Sequence, residues 1–205
     1  MPVDSRQRTR AQTLLAERGI VRLAEFRAAG ATAATISRME QAGEIVRLAR
    51  GLYQSPDADL SVHHSLAEAA KRVPKGVICL VSALAFHDLT DQLPGQVWLA
   101  IGTRDWQPKS SRPPLRVVRF AGRYLAGGIE THLIEGVPVK IFGVAKTIAD
   151  CFRHRRSIGL SVALEGLQQG LRQRRVTPAE IIRQAELGGV ASVIRPYLEA
   201  LTVNG

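Results

Sequence analysis

The most constraining stretch is 9–53, where glycines at 19, 30, 43 and 51 cut amphipathic sequence into pieces of helix and strand length. Residues 5–18 place Ala11, Leu14 and Leu15 on one side of a first helix, which Gly19 ends. Ile20 and Val21 make a short extended piece. Residues 23–29 form a second, short helix with Leu23 and Phe26 inward, and Gly30 suits its left-handed C-terminal turn. Thr32 caps a third helix over 33–42, which buries Ile36 and Met39 and turns Ala34, Ser37, Arg38 and Gln41 outward. Gly43 stops it. Residues 45–48 and 52–54 are apolar and aromatic enough to be strands, joined through Ala49, Arg50 and Gly51, where glycine permits a positive φ.

Helix, helix, helix and two-strand wing is the layout of a winged helix-turn-helix, whose recognition helix enters the major groove while the wing touches backbone or the adjacent minor groove. The side chains suit both tasks. Arg38 can make a bidentate contact to guanine, and Thr32, Thr35 and Ser37 can reach phosphates or base edges. Arg47 and Arg50 stand where a wing meets negative charge. The competing reading is a winged helix used for protein contacts, with Arg38 on a solvated face.

The polar stretch SPDAD at 55–59 contains a helix-breaking proline, so the expected division is a head at 1–56 and a second domain at 60–205. In the latter, 61–72 and 77–89 read as helices, followed by strand candidates at 97–101, 115–120, 130–134 and 137–142. The last two flank a turn of hairpin length. Helices follow at 144–156, 162–174 and 191–201, with another opened by Thr177, Pro178 and Glu180, which combine an N-cap, a first-turn proline and a capping box. The expected class is therefore α+β: a winged head plus a small, largely antiparallel sheet covered by helices.

A net charge of +10 favours a polyanionic partner, because each phosphate contact releases condensed counterions. The charge is spread over both parts: 1–54 has nine arginines against five acids, and 61–205 has nineteen basic residues against eleven acids. Cys79 and Cys151 lie far apart in apolar sequence with no leader, so the expected setting is the cytoplasm without a disulfide framework. No apolar run approaches the roughly 18 to 20 residues needed to cross a bilayer, so no membrane partner is expected.

Chemical motifs are few. The run GVAKT at 143–147 lacks the glycine that a phosphate-binding loop requires before its lysine. Lys146, Asp150 and Arg153 lie at i, i+4 and i+7, hence on one helix face, expected to point outward opposite a packing face of Ile148, Cys151 and Phe152. They read as an intrahelical ion pair or an interaction surface. The histidines at 63, 64 and 87 lack a third ligand at metal-binding spacing, and no nucleophile elbow or paired-carboxylate motif occurs. No metal, cofactor or enzymatic activity is expected.

The wing stretch GEIVRLARGLY at 43–53, VSALAFHDLT at 81–90, Pro94 with VWLAI at 97–101, and AKTIADCFR at 145–153 together resemble the AbiEi-type antitoxins. These are the transcriptional-regulator half of bacterial type IV toxin–antitoxin pairs. The resemblance implies a bifunctional protein whose winged head binds inverted repeats in its own promoter, as an autoregulatory repressor. It also implies a second domain that counters a nucleotidyltransferase-like toxin without a stable complex. Lys146, Asp150 and Arg153 fall in the segment of strongest resemblance and are the expected antitoxin surface. Two other readings stay open: a stand-alone regulator with an effector-sensing C-terminal domain, and a nucleic-acid-processing enzyme using the basic C-terminal half.

Overall fold

The computed structural model describes residues 2–107 and 113–203. The chain divides into two compact units. One holds the described residues up to Lys75, with Pro113, Pro114 and His132–Val139; the other holds Gly76–Gln107, Leu115–Thr131 and the described residues from Lys140 onward. The unit containing the head thus runs past the break expected at 56–60.

The first unit opens with α1 (Pro2–Arg18), β1 (Ile20–Arg22), α2 (Leu23–Ala28), α3 (Ala33–Gln41), β2 (Val46–Ala49) and β3 (Leu52–Gln54), in the order expected of a winged helix. The strands form a sheet of order β1-β3-β2, antiparallel throughout. Local signals act as read from the sequence. The Thr32 hydroxyl accepts the Thr35 N–H to cap α3, and Gly43 and Gly51 take φ of +73° and +71°, the left-handed conformation that costs a residue with a Cβ. Ala11, Leu15, Val21, Phe26, Ile36, Met39, Ile45 and Tyr53 close over one core, with Phe26 edge-on to Tyr53 at 6.0 Å between ring centres.

A further helix, α4 (His64–Arg72), belongs to this unit. Lys71 Nζ donates to both Glu25 carboxylate oxygens at 3.0 Å, and the Arg22 guanidinium donates to the Lys71 carbonyl. Glu25 also accepts the Arg22 N–H at 2.8 Å. Burial pushes the Glu25 carboxyl up, but these donors outweigh it and hold the group below its ordinary value. The tip of a hairpin from later in the chain joins here: Glu135 accepts from the Ser61 N–H at 2.7 Å and pairs with His64 Nδ1 at 2.8 Å.

The second unit contains β4 (Val77–Ile78), α5 (Leu80–Phe86), β5 (Val97–Gly102), β6 (Leu115–Phe120) and α6 (Gly122–Ala126). β7 (Ile129–Ile134) and β8 (Val137–Phe142) follow, with their connecting tip in the first unit. The chain ends in α7 (Val144–Arg153), α8 (Arg155–Ile158), α9 (Leu160–Arg172), α10 (Pro178–Gly188) and α11 (Ala191–Val203). The sheet order is β6-β5-β4-β8-β7.

This sheet is mixed rather than largely antiparallel. β4 pairs antiparallel with β5 but parallel with β8, and β5 pairs parallel with β6. The expected helix over 77–89 begins only after a strand, because Val77 and Ile78 are buried between β5 and β8 at the centre of the sheet. Thr177 caps α10 with Glu180 in a reciprocal capping box, as its sequence signalled. α7 packs among α5, α9, α10 and α11, and Lys146 through Phe152 are all buried.

Candidate nucleic-acid interface

The outward face of α3 carries Ala34, Ser37, Arg38 and Gln41, all exposed, while Thr35, Ile36 and Met39 face the core. That split follows from helical spacing. Thr32 and Ser37 are exposed, but Thr35 is 1% exposed. Its hydroxyl bonds with Thr32 Oγ1 at 3.0 Å, Gln7 Oε1 at 2.7 Å and Asp4 Oδ1 at 3.0 Å. In the free chain it is an interior group tying α1 to the start of α3. The Thr32 hydroxyl is likewise engaged, and its N–H donates to Gln7 Oε1 at 3.0 Å.

α1 thus supplies residues to this site that spacing along the sequence does not reveal. Asp4 Oδ1 accepts from Arg38 Nη2 at 2.9 Å, and Asp4 Oδ2 lies 3.5 Å from Arg8 Nε. Arg8 in turn pairs with Glu44 after the end of α3. No spacing rule announces a clamp across more than thirty residues; the only signal was an acid in the first turn of α1, where it also favours the helix dipole.

On the wing, Arg47 stands opposite Tyr53, and the register slips between Arg47 and Ala49. Arg47 lies 3.9 Å from Glu40 and donates to the Ala49 carbonyl at 3.3 Å. Arg50 is exposed at the turn. Ser37, Arg38, Arg47 and Arg50 therefore belong to one compact head as solvent-facing groups, with Asp4 and Glu40 holding two of the arginines. Exposed ion pairs of this kind contribute about 0 to 1 kcal/mol, so a stronger anion can displace either acid.

The second expected site is arranged differently. Lys146 and Asp150 do not form an outward row: they are 6% and 2% exposed. Their ion pair is closed at 2.5 Å, with the ammonium 4.5 Å from the centre of the Phe142 ring and 5.3 Å from that of Phe120. The face expected to meet water meets strand aromatics instead. Burial pushes the Asp150 carboxyl up despite the opposing Lys146 ammonium. Thr147 Oγ1 and His87 Nε2 both bond to the Phe142 carbonyl, at 2.9 and 2.8 Å. Burial also pushes the free thiols Cys79 and Cys151 well up, which leaves them as inert core groups. Of the three residues expected there, only Arg153 is exposed.

Among the described residues, no group of three or more His, Cys, Asp and Glu side chains is placed to hold a metal ion. No helix among them is long and apolar enough to cross a membrane.

Residues 10–56 match the family described as transcriptional regulator, AbiEi antitoxin. The match runs from within α1 through the wing, the elements just described. Across the rest of the chain the comparison is structural. The crystal structure of the RV2827C protein from Mycobacterium tuberculosis superposes with a TM-score of 0.57 at 14% identity, over 94% of this chain and 80% of that one. At that identity the likeness establishes the fold. No curated protein matches the chain in sequence.

Proposed function

We propose that the chain is an autoregulatory transcriptional repressor and the antitoxin of a type IV pair, binding inverted repeats in its own promoter through the AbiEi-type head. The observation that carries this reading is the exposed face of α3, with Ser37, Arg38 and Gln41, beside a wing bearing Arg47 and Arg50. A helix with such a face is narrow enough for the major groove, and wing arginines suit the flanking backbone. Arg38 reads a base, Ser37 and Gln41 set register, and Arg47 and Arg50 neutralise phosphate. The family described for residues 10–56 supports the regulator half of the proposal.

The antitoxin half rests on the same family description and is assigned to the second unit, acting in a cytoplasm against a nucleotidyltransferase-like toxin without a stable complex. The buried Lys146 and Asp150 set the shape of that unit from inside, so the surface acting on the toxin's effect is built from exposed neighbours such as Arg153.

Footprinting on the promoter of the chain's own operon tests the regulator reading. Protection over paired half-sites is expected, and a promoter left uniformly cleaved at saturating protein overturns it. Co-expression with the product of the neighbouring gene tests the antitoxin reading: rescue of growth is expected, and growth arrest unchanged by the chain overturns it.

A further inference from the structure

The second unit carries a strip of arginines along the flank of β6. Arg116, at the start of that strand, stands opposite Trp98 in the parallel β5–β6 register and lays its guanidinium 4.2 Å from the Trp98 ring centre. It also donates to Ser157 Oγ on α8 at 3.3 Å, next in sequence to exposed Arg156. Phe120 lies four residues further along β6, about 13 Å at roughly 3.3 Å per residue, and the His154 ring is 5.3 Å from its centre. Next to His154 in sequence, Arg153 lies against Tyr124 together with Arg123, at 4.3 and 4.7 Å from the ring centre. Guanidinium groups thus mark both ends of the strip.

None of these four arginines forms an ion pair with an acid among the described residues. Arg123 donates to the Tyr124 hydroxyl at 2.8 Å and Arg153 to the Gly188 carbonyl at 2.7 Å. Neutral acceptors of this kind fix a guanidinium in place while leaving its charge and most of its five N–H donors unspent. Tyr124 registers these donors: hydrogen bonding from Arg153, and then from Arg123, holds its phenol below its ordinary value. Arg116, Arg123, Arg153 and Arg156 are all exposed.

We propose that this strip is a binding surface for single-stranded nucleic acid, distinct from the head and independent of the head's assignment. Phosphates take the unspent N–H donors. Guanidinium planes already laid on Trp98 and Tyr124 offer flat faces on which an unstacked base can rest, and only a strand out of its duplex presents such a base. Ring stacking also fixes these side chains before binding, which reduces the ordering cost that long arginine side chains otherwise incur.

The test uses the full chain with R38A, R47A and R50A, so that the head arginines do not contribute. Fluorescence anisotropy is read with labelled oligouridine, oligodeoxythymidine and a duplex of the same length. The single strands are expected to bind better than the duplex, whichever sugar they carry. Adding R116A, R123A and R156A should weaken them about tenfold or more at low salt, and flatten the dependence of log K on log salt by about 0.7 for each phosphate no longer neutralised. If parting Arg116 from Trp98 disturbs folding, the R123A and R156A pair suffices, since among the described residues it gives up only the Arg123 stacking and hydrogen bond on Tyr124. The slope should then flatten by about 1.4, the share of two phosphates. Unchanged affinity and slope in either variant overturns the proposal, as does a duplex that outcompetes both single strands. The same strip substitutions on the unaltered head should leave promoter binding intact, which separates this proposal from the reading of the head.

Discussion

Replacing Asp150 by alanine should unfold the second unit far more readily than its place in an i, i+4 helix pair suggests. An exposed pair of that spacing is worth about 0.2 to 0.5 kcal/mol. Here Lys146 and Asp150 are 6% and 2% exposed, with the ammonium held over Phe142 and Phe120. Removing the carboxylate leaves a buried cation with no counter-charge, at a cost of about 3 to 5 kcal/mol. That is a large share of the roughly 5 to 15 kcal/mol typical of a domain. Lys146→Met should cost less, because the remaining carboxyl, already pushed up by burial, can take a proton. The double variant Lys146→Met, Asp150→Leu removes both charges and should recover most of the loss. With a urea slope of about 2 kcal/mol per molar, Asp150→Ala should lower the midpoint of the second unit's transition by about 1.5 to 2.5 M. An Asp150→Ala chain within about 1 kcal/mol of the parent would refute the buried-pair reasoning. So would a double variant as unstable as the single.

Three further outcomes follow from the geometry. Asp4→Asn removes the acid that holds Arg38 and should tighten promoter binding by about 1.4- to fivefold in a gel shift, matching the roughly 0.2 to 1 kcal/mol of an exposed pair; weaker binding by a folded head would assign Asp4 a positive role in docking. Thr177→Ala breaks the capping box on α10 and should cost about 1 kcal/mol in urea unfolding, with a loss below about 0.3 counting against the cap. Glu25 has a carboxyl lowered from 4.5, so its stabilisation is fully present above that pH and is lost as the pH falls through the depressed folded value; thermal melts from about pH 7 to about pH 3 should show the loss, and Glu25→Gln should flatten it, whereas an unaltered pH profile in that variant would contradict the assignment.

The head was legible because its signals are local. Thr32, Gly43 and Gly51 each act on their own turn, and the faces of α3 follow from spacing alone. What escaped the sequence were features set by distant partners. Val77 and Ile78 merge into an apolar run without a clear period, and only β5 and β8 on either side make them a strand. Lys146 and Asp150 read as solvent-facing because their helix cannot announce that Phe120 and Phe142 will cover it. Thr35 looked available for DNA until Asp4 and Gln7 arrived from the start of the chain. The arginine strip was invisible for the same reason, since Arg116 meets Trp98 through the β5–β6 pairing and Arg153 meets Tyr124 only where α7 comes against α6.

The proposed function requires the head to bind duplex DNA through α3 and the wing. A gel-shift titration of promoter duplex at several salt concentrations tests it directly, comparing the parent with the Arg38→Ala, Arg47→Ala, Arg50→Ala chain. The triple variant should show a clear loss of affinity, including about 1 to 3 kcal/mol at one base position from Arg38, and a salt slope smaller by about one unit for each phosphate no longer neutralised. Equal affinity and equal salt slope for the two folded proteins would contradict it.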